Sequence, residues 1–477
     1  MKNVRFILIF FLGITFVSFS QNFNDALRLS DPGLGSNARA LGMGNAYDAV
    51  SDDFSAVYFN PAGLGLMRSM EFAGSFNFDS FNNNTTFFNQ STKDNNSSTN
   101  LGQVGFVFPL PTMRGSMVLA MGFSRSKSFN SVLKFDGYNS TNTSKIQHLV
   151  NYNDPLTWEL YLSEGSSQSQ STIFNGGLNQ SGTVKQEGSI NKWSFAGALE
   201  AAKNVYVGAT LNILAGSFTS NNKYYEDDTR GNYGANLMIV DGNTSTADFQ
   251  TFYMNDIIEW DISGWDLKLG LLYNYKNMIR YGFSVKFPSF YSVDENYFVD
   301  GYSEFANARF EFDPPVEEQY NYDITTPYEF SGGAAFSLKP IIISGNVTYI
   351  DYTQMEFTEG LTDAIERSAL NDEIAELMTS VININLGAEF NIPLMNTRVR
   401  AGFIYKPSPF KEDNSEFDKK YVTFGAGILP DNTLSFDLGY SYGWWKNVGD
   451  NYGNPGDSRT YQEISHHNFI VTVLYRY

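Results

Sequence analysis

The sequence predicts an all-β protein, a transmembrane antiparallel β-barrel of about 14 strands with an amino-terminal hatch that plugs the lumen. Three observations predict this fold. Apolar and polar residues alternate in segments of about ten residues, the connections between the segments are alternately short and long, and the chain ends on an aromatic strand residue, Tyr477. The composition agrees, because 29 Tyr, 41 Phe and 41 Gly suit short twisted strands better than helices.

The alternation is clearest over residues 264–275. The odd positions from Trp265 to Tyr275 carry large apolar or aromatic side chains, whereas most even positions are polar or small. The apolar face is predicted to contact lipid and the other face the lumen, the reverse of a soluble core. The predicted strands are residues 70–78, 101–108, 116–124, 190–199, 203–214, 262–275, 278–288, 328–338, 341–352, 380–391, 397–406, 420–428, 433–443 and 466–477.

The connections between the predicted strands are short and long in turn. Short periplasmic turns and long outer loops are typical of a barrel with both chain ends in the periplasm. The long connections include residues 79–100 and 125–189, and residues 359–378 have the spacing of a short helix over the barrel mouth. Residues 131–135 are not predicted as a strand.

Residues 1–20 are predicted to be a secretory signal peptide. Lys2 and Arg5 give it a positive start, and residues 6–17 form an apolar run too short to cross a bilayer as a helix. Small residues precede the predicted cleavage site before Gln21. No later segment approaches 18 consecutive apolar residues, so the sequence predicts an exported chain without a transmembrane helix.

Charge and cysteine content exclude several classes of function. The chain has 32 Lys and Arg against 51 Asp and Glu, a net charge of −19, and no cysteine. Such a surface repels nucleic acid, and the absence of cysteine excludes a disulfide scaffold, a thiol nucleophile and a thiolate metal site. The three histidines do not suggest a catalytic triad or a metal site. We therefore expect no enzyme activity, no metal and no cofactor.

Residues 21–68 precede the first predicted strand and show no sustained alternation. The segment is rich in Gly and Ala and too apolar to extend freely into the periplasm. The lumen of a barrel of about fourteen strands is wide enough to conduct water unless something fills it. We therefore predict that residues 21–68 fold inward as a hatch and that residues 69–477 form the barrel with long outer loops.

Ordered motifs along the mature chain carry a family resemblance. The hatch contains Asp52-Asp53-x-Ser55-Ala56-x-Tyr58-x-Asn60-Pro61-Ala62-Gly63, and the barrel contains further motifs at residues 326–334, 347–352, 386–390 and 400–409. In this ordered set the chain resembles the FadL/TodX family of outer-membrane transporters for long-chain fatty acids and aromatic hydrocarbons, in its Bacteroidetes-like branch.

The resemblance implies uptake of hydrophobic small molecules across the bacterial outer membrane. It implies that a ligand enters an outer groove, occupies an apolar internal pocket behind the hatch and leaves sideways through a gap beside a kinked strand. Gly122 in the third strand is a candidate for this kink, because glycine weakens local pairing; the alternative is an ordinary glycine at a bend of the barrel. By motif, Asn60, Pro61, Ala62 and Gly63 are carried over as hatch and gate residues. No ligand-contacting residue can be transferred in this way.

Lumen-facing cations are the candidate anchors for a ligand head group. An apolar pocket with a few polar anchors would hold tail and head together, and the paired donors of arginine suit a carboxylate. The alternative is that these cations pair with carboxylates across the lumen, since buried charges are normally paired. The candidate substrate-binding residues are Lys268, Arg280, Lys286, Arg398 and Arg400, and the candidate partner carboxylates are Glu71, Asp266, Glu329 and Glu389.

The predicted partners follow from the barrel and from the resemblance. They are a hydrophobic small-molecule ligand, outer-membrane lipid and lipopolysaccharide, and the barrel-assembly machinery, which would bind the carboxy-terminal strand of a monomeric chain. A scaffold or shuttle in protein secretion is the alternative function, since loops 125–189 and 215–261 could bind a partner protein. A plain porin is disfavoured because residues 21–68 would obstruct diffusion.

Overall fold

A computed structural model of the protein describes residues 22–166, 168–234, 244–360, 364–393, 395–430, 433–452 and 458–477. The predicted signal peptide, residues 1–20, lies outside this range, as does the first residue of the predicted hatch.

Fourteen antiparallel strands of the described chain close into one barrel. Each strand pairs with the next along the chain, and the first pairs with the last from Glu71↔Arg476 to Thr86↔Tyr461. The strands are β1 (Glu71–Phe87), β2 (Gln90–Leu110), β3 (Met117–Ser128 and Ser131–Asn139), β4 (Leu178–Ala202), β5 (Val205–Asp227), β6 (Phe249–Tyr275), β7 (Ile279–Lys286 and Phe290–Phe305), β8 (Val316–Thr325 and Glu329–Leu338), β9 (Ile341–Asp351 and Glu356–Gly360), β10 (Ser380–Ile392), β11 (Thr397–Lys406), β12 (Lys419–Ile428), β13 (Leu434–Asp450) and β14 (Arg459–Arg476).

An apolar belt surrounds the barrel on its outer face. On β6, Trp265 is 48% exposed and Leu271 is 41% exposed, whereas the intervening Asp266 is buried in the lumen. Exposed aromatic residues such as Trp193 and Tyr475 lie towards the two edges of this belt. A continuous exposed belt of this kind is stable in contact with lipid, with the polar backbone groups satisfied inside the closed ladder. The predicted direction of the alternation is therefore confirmed.

Each of the fourteen predicted strand segments falls on a different strand of the barrel. The loop predicted at residues 79–100 is wrong, because β1 and β2 continue as a hairpin to a tight turn at Phe88 and Asn89. Both turn residues have positive φ, 43° and 65°. Beyond the lipid belt neither face of a strand contacts lipid, so hydrophobic alternation fades although the hydrogen-bonded ladder continues. Much of residues 215–261 is likewise strand.

The third strand is interrupted, and its second piece includes residues 131–135. Their exclusion from the strand set is therefore wrong: they continue β3 after a break at Phe129 and Asn130. The register of β3 against β4 shifts between Arg125 and Lys127. Gly122, the candidate kink residue, is not at this shift but lies in regular ladder opposite Gly105.

The helices lie in the hatch and in the outer loops. The described helices are α1 (Phe23–Ser30), α2 (Ala38–Gly42), α3 (Lys145–Asn151), α4 (Pro155–Glu159) and α5 (Ala364–Leu377), with 3-10 turns at Phe54–Val57, Pro61–Leu66, Thr244–Thr246 and Tyr352–Gln354. The short helix predicted at residues 359–378 is confirmed by α5, whose Ile374 belongs to the buried cluster that also holds Leu29 of α1. None of the described helices is long and apolar enough to cross a membrane.

Candidate functional site

Residues 22–68, the described part of the predicted hatch, lie against glycines of the barrel wall, and we refer to this segment as the hatch. A methyl group at Gly387 would lie 2.1 Å from the carbonyl oxygen of Met43, and one at Gly208 would lie 2.5 Å from the carbonyl carbon of Pro61. Only a residue without a side chain allows the hatch backbone to approach so closely. The glycines face each other across neighbouring strands in five pairs, Gly105↔Gly122, Gly208↔Gly270, Gly282↔Gly333, Gly387↔Gly402 and Gly425↔Gly439.

Asn60 makes hydrogen bonds both within the hatch and to the barrel wall. Its Oδ1 accepts a hydrogen bond from the Ala62 amide at 3.1 Å and so caps the turn Pro61–Leu66. Its Nδ2 donates to the carbonyl oxygens of Asp48, at 3.0 Å, and of Leu271 on β6, at 3.1 Å. The residues of the Asn-Pro-Ala-Gly motif are all buried. Their role as a gate remains a prediction.

A buried ion network holds the hatch to β10, β11 and β13. Arg39 of α2 donates from Nε and Nη2 to the two carboxylate oxygens of Glu389, at 2.8 and 3.1 Å, and from Nη1 to Asp52 at 2.6 Å. Arg400 donates from Nε to Glu389 at 2.7 Å, and its Nη1 lies 2.6 Å from Asp437. The guanidinium of Arg400, a predicted ligand anchor, is therefore enclosed by two carboxylates.

Two more of the predicted anchors hold hatch backbone. Lys268 donates to the carbonyl oxygens of Tyr58 and Phe59, at 2.8 and 2.9 Å. Arg280 donates to the carbonyl oxygen of Val50 at 3.1 Å and lies 3.3 Å from a carboxylate oxygen of Asp52. These contacts fix the segment between α2 and the Asn60 turn, which contains the 3-10 turn Phe54–Val57.

The remaining two candidate anchors differ from each other. Lys286 donates to Glu329 at 2.8 Å. This pair agrees with the alternative stated for the lumenal cations, that they pair with carboxylates across the lumen. Arg398 is half-buried and lies two residues before Arg400 on β11. The structure thus places Arg400, Arg280 and Lys268 against the hatch or its ion network, and Lys286 directly opposite Lys268 in the ladder between β6 and β7. Their role in binding substrate remains a prediction.

Three cavities lie above and beside the hatch, and we name them the mouth groove, the wall cavity and the inner cavity. Their volumes are about 830, 270 and 110 Å³. The mouth groove includes the apolar side chains of Phe23, Leu27, Phe410, Phe417 and Trp445. The inner cavity is bordered by many charged residues, among them Lys192, Asp266, Lys268, Lys286 and Glu329. The lining of the inner cavity is therefore largely polar, unlike the apolar pocket that the resemblance implies.

Asp31 lies where the three cavities meet, because it lines all of them. It follows α1 directly, and its carboxylate accepts a hydrogen bond from Lys419 of β12 at 2.7 Å. Lys127 of β3 and Lys406 of β11 each lie 3.9 Å from the same carboxylate. Burial alone would raise the pKa of the Asp31 carboxyl, but the ammonium groups of Lys419, Lys127 and Lys406 hold it well below its usual range.

Sequence reasoning missed this cluster of Asp31 with Lys127, Lys406 and Lys419. The three lysines lie on separate strands, and a single aspartate in the hatch has no spacing that distinguishes it. The alternation of β11 and β12 could at most have placed Lys406 and Lys419 near the outer ends of their strands.

The ladder between β2 and β3 stops at Gln103↔Ser124. Beyond this point the second piece of β3 pairs with β4 and leaves β2 paired only with β1. Phe123, next to the last pair, lies opposite the exposed Trp193 at the outer part of the lipid belt. Side chains bridge the break instead of backbone: Asn96 donates to the carbonyl oxygen of Gln186 at 3.2 Å. The wall cavity lies on the inner side of this break.

The fold is a closed fourteen-stranded antiparallel β-barrel of the outer-membrane type, with a folded amino-terminal segment against its inner wall and an interrupted third strand. No protein-family model matches the chain, and no curated protein matches it. Solved structures do: the toluene transporter TodX of P. putida is 12% identical with a TM-score of 0.55, over 93% of this chain and 99% of TodX.

Two further solved structures have the same fold. A FadL homologue of Pseudomonas aeruginosa is 10% identical with a TM-score of 0.58, over 94% of this chain and 99% of that one. The monoaromatic hydrocarbon channel CymD is 13% identical with a TM-score of 0.51, over 93% and 98%. The chain therefore has the fold of the FadL-type channels, and the resemblance is confirmed at the level of the fold.

Proposed function

We propose that the chain is a channel of the bacterial outer membrane that takes up hydrophobic small molecules and releases them sideways through the wall. The observation that carries this proposal is the end of the β2–β3 ladder at Gln103↔Ser124, beside the wall cavity. A straight path to the periplasm would have to break the buried network around Glu389 and Arg400. A sideways path would have to part only side-chain bridges such as the one from Asn96.

The mouth groove fits the first step of such a route. Its apolar side chains would take a hydrophobic molecule out of water, which is favourable in proportion to the apolar area removed. The structures that this fold resembles include a toluene transporter and a hydrocarbon channel, which supports a hydrophobic cargo. We further propose that the protein works as a monomer, contacts lipopolysaccharide at its outer rim and is inserted through recognition of β14.

A reversible cross-link across the break tests the route. The chain has no cysteine, so the pair Ser98→Cys and Asn130→Cys, at two side chains already in hydrogen-bond contact, forms a single disulfide. In proteoliposomes, the oxidised variant is expected to lose uptake of labelled palmitate or toluene, and reduction is expected to restore it. The matched control is Asn84→Cys with Glu463→Cys, a directly opposed pair in the intact ladder between β1 and β14 whose residues line none of the three cavities. Equal uptake by the oxidised and reduced forms would exclude a sideways exit here.

A further inference from the structure

The hairpin of β1 and β2 extends beyond the lipid belt with one edge unpaired. β2 pairs with β1 from the turn downwards, but it pairs with β3 only over residues 103–110. The upper piece of β3 lies against the inner face of the hairpin, where Nδ2 of Asn83 donates to the carbonyl oxygen of Val132 at 2.9 Å. Residues 91–99 therefore form a strand edge, which we name the β2 edge, directly above Leu101, an exposed residue of the lipid belt.

Every second residue of the β2 edge directs its backbone N–H and C=O groups away from β1. The hairpin has a two-residue turn, so the closing pair Phe87↔Gln90 exchanges hydrogen bonds, and every second pair after it does the same. The residues between those pairs face the free edge, and all of them are exposed. They are Ser91, Lys93, Asn95, Ser97 and Thr99. The amide of Asn95 agrees with this assignment, because it donates to Oδ1 of the neighbouring Asp94 at 2.8 Å.

Backbone groups at this spacing are complementary to another β-strand. Each of these residues offers one donor and one acceptor, and an extended peptide laid beside them presents the same repeat. At about 3.4 Å per residue the β2 edge is about 30 Å long. Native sheets usually shorten, bulge or cover such an edge, and proline, which would block it, is absent from residues 90–100. The β2 edge thus has the length and the chemistry of a strand-addition site.

The side chains of the β2 edge indicate what an added strand would carry. Four of the five residues that face the edge are Ser, Asn or Thr, and cross-strand pairs of such residues form hydrogen bonds with each other. An apolar strand would leave its outer face in water, and the net charge of −19 disfavours an acidic strand. A neutral or basic segment rich in Ser, Thr and Asn therefore fits best.

A second copy of this chain in the same membrane cannot supply the strand by symmetric pairing. The twofold axis of an antiparallel strand pair is normal to the sheet, and the wall of a barrel stands upright in the membrane, so this axis would invert one of the two barrels. A parallel pair would need an axis along the strands, which tilt by about 35–45° in such barrels, and one barrel would be tipped against the other. This symmetry favours a different protein as the source of the strand.

We propose that the β2 edge is a docking site for an extended segment of another cell-surface protein, rich in Ser, Thr and Asn, which adds to the sheet as a strand beside β2. This inference goes beyond uptake and does not depend on it, because residues 91–99 line none of the three cavities.

The experiment uses the full mature barrel in lipid nanodiscs and a synthetic peptide that copies residues 90–100. The free peptide is not held by a membrane, so it can pair antiparallel with the β2 edge. Hydrogen exchange measured at single amides is expected to slow at residues 91, 93, 97 and 99, whereas the amides of residues 92, 94, 96 and 98 already lie in the ladder with β1 and should not change. The control peptide is N-methylated at its three central residues and should give no protection, because both of its edges are blocked.

A variant pair tests the same edge from the side of the barrel. Lys93→Pro removes one N–H that faces the free edge and leaves the ladder with β1 intact, since proline is tolerated at strand edges. Loss of this donor is expected to lower peptide affinity about tenfold. Lys93→Ala loses the same charge and side chain but keeps the N–H, and it should bind like the parent. Both variants should retain uptake of labelled palmitate, which shows that each is a folded barrel.

Three outcomes would overturn the docking site while leaving the proposed uptake function in place. The first is equal peptide affinity of Lys93→Pro and Lys93→Ala. The second is equal protection by the methylated and the unmethylated peptide. The third is no protection by the peptide together with protection of the same amides by an oligosaccharide released from lipopolysaccharide, which would make the edge a sugar-binding surface.

Discussion

Arg39 of the hatch and Glu389 of β10 form a bidentate ion pair, with Nε–Oε2 at 2.8 Å and Nη2–Oε1 at 3.1 Å. The two residues are 350 positions apart, and both side chains are almost completely buried. Two parallel hydrogen bonds between a guanidinium and a carboxylate fix orientation as well as distance. The pair therefore sets both the height and the rotation of α2 within the lumen.

Replacement of Arg39 by alanine is expected to loosen the lower part of the hatch. Removing one partner of a buried pair leaves a desolvated charge and costs about 3–5 kcal/mol, although Arg400 still neutralises part of Glu389. In planar bilayers, Arg39→Ala should open ion-conducting events that the parent barrel lacks. Arg309→Ala, which breaks an exposed pair with Glu311, is the control and should stay closed. Identical traces for the two variants would contradict the role assigned to the pair.

The close contact of the hatch backbone with glycines of the barrel wall gives a second prediction. Gly387→Ala would place a methyl group 2.1 Å from the carbonyl oxygen of Met43. Either the hatch must shift, or overpacking must lower the free energy of unfolding by about 1–3 kcal/mol. Gly74→Ala on β1 is the matched control, because a methyl group there has no atom within 4 Å. We expect a higher bilayer conductance and a lower temperature of band shift for Gly387→Ala alone. A stable, closed Gly387→Ala barrel would mean that the hatch is not seated as described.

Much of the barrel could be predicted from the sequence because lipid imposes one rule on every strand. Wherever a strand crosses the apolar layer, its lipid-facing side must be apolar. The alternation from Trp265 to Tyr275 on β6 follows from this requirement. Above the layer that rule no longer applies, and the hairpin that turns at Phe88 and Asn89 was predicted as loop for that reason. Strands can therefore be predicted from the sequence where they cross the apolar layer, and not where they extend above it.

The candidate site was less predictable because it depends on pairs distant in sequence. Arg400 was chosen as a ligand anchor from its lumenal position, but its guanidinium contacts Glu389 and Asp437. The sequence gives the sign of each lumenal charge and not its partner, since the partner is chosen by hatch folding and strand register. The same holds for Asp31, because Lys127, Lys406 and Lys419 meet at its carboxylate only when β3, β11 and β12 surround the end of α1.

Asn60 gives a prediction in which donor and acceptor are tested separately. Asn60→Asp keeps the oxygen that caps the turn Pro61–Leu66 but loses the Nδ2 donor to the Asp48 and Leu271 carbonyl oxygens. Asn60→Ala loses both, which adds about 1 kcal/mol for the cap to the cost of the unpaired carbonyls. Hydrogen exchange at the amides of residues 62–66 should be faster in both variants, because alanine loses the cap and aspartate places a buried carboxylate oxygen against two carbonyl oxygens. If Asn60→Asp exchanged like the parent, the link to β6 would contribute nothing.

The hatch is held by two different sets of contacts, and two deletions are expected to separate them. Residues 37–66 contain Arg39, Asn60 and the backbone against the wall glycines. Residues 22–36 are held by Lys127, Lys406 and Lys419 and by the stacking of Arg28 on Phe218, 4.3 Å from the ring centre. A mature barrel without residues 22–36 should therefore remain closed to ions in planar bilayers, because the lower hatch still fills the lumen. A barrel without residues 22–60 should conduct, since that deletion also removes Arg39 and the Asn60 cap.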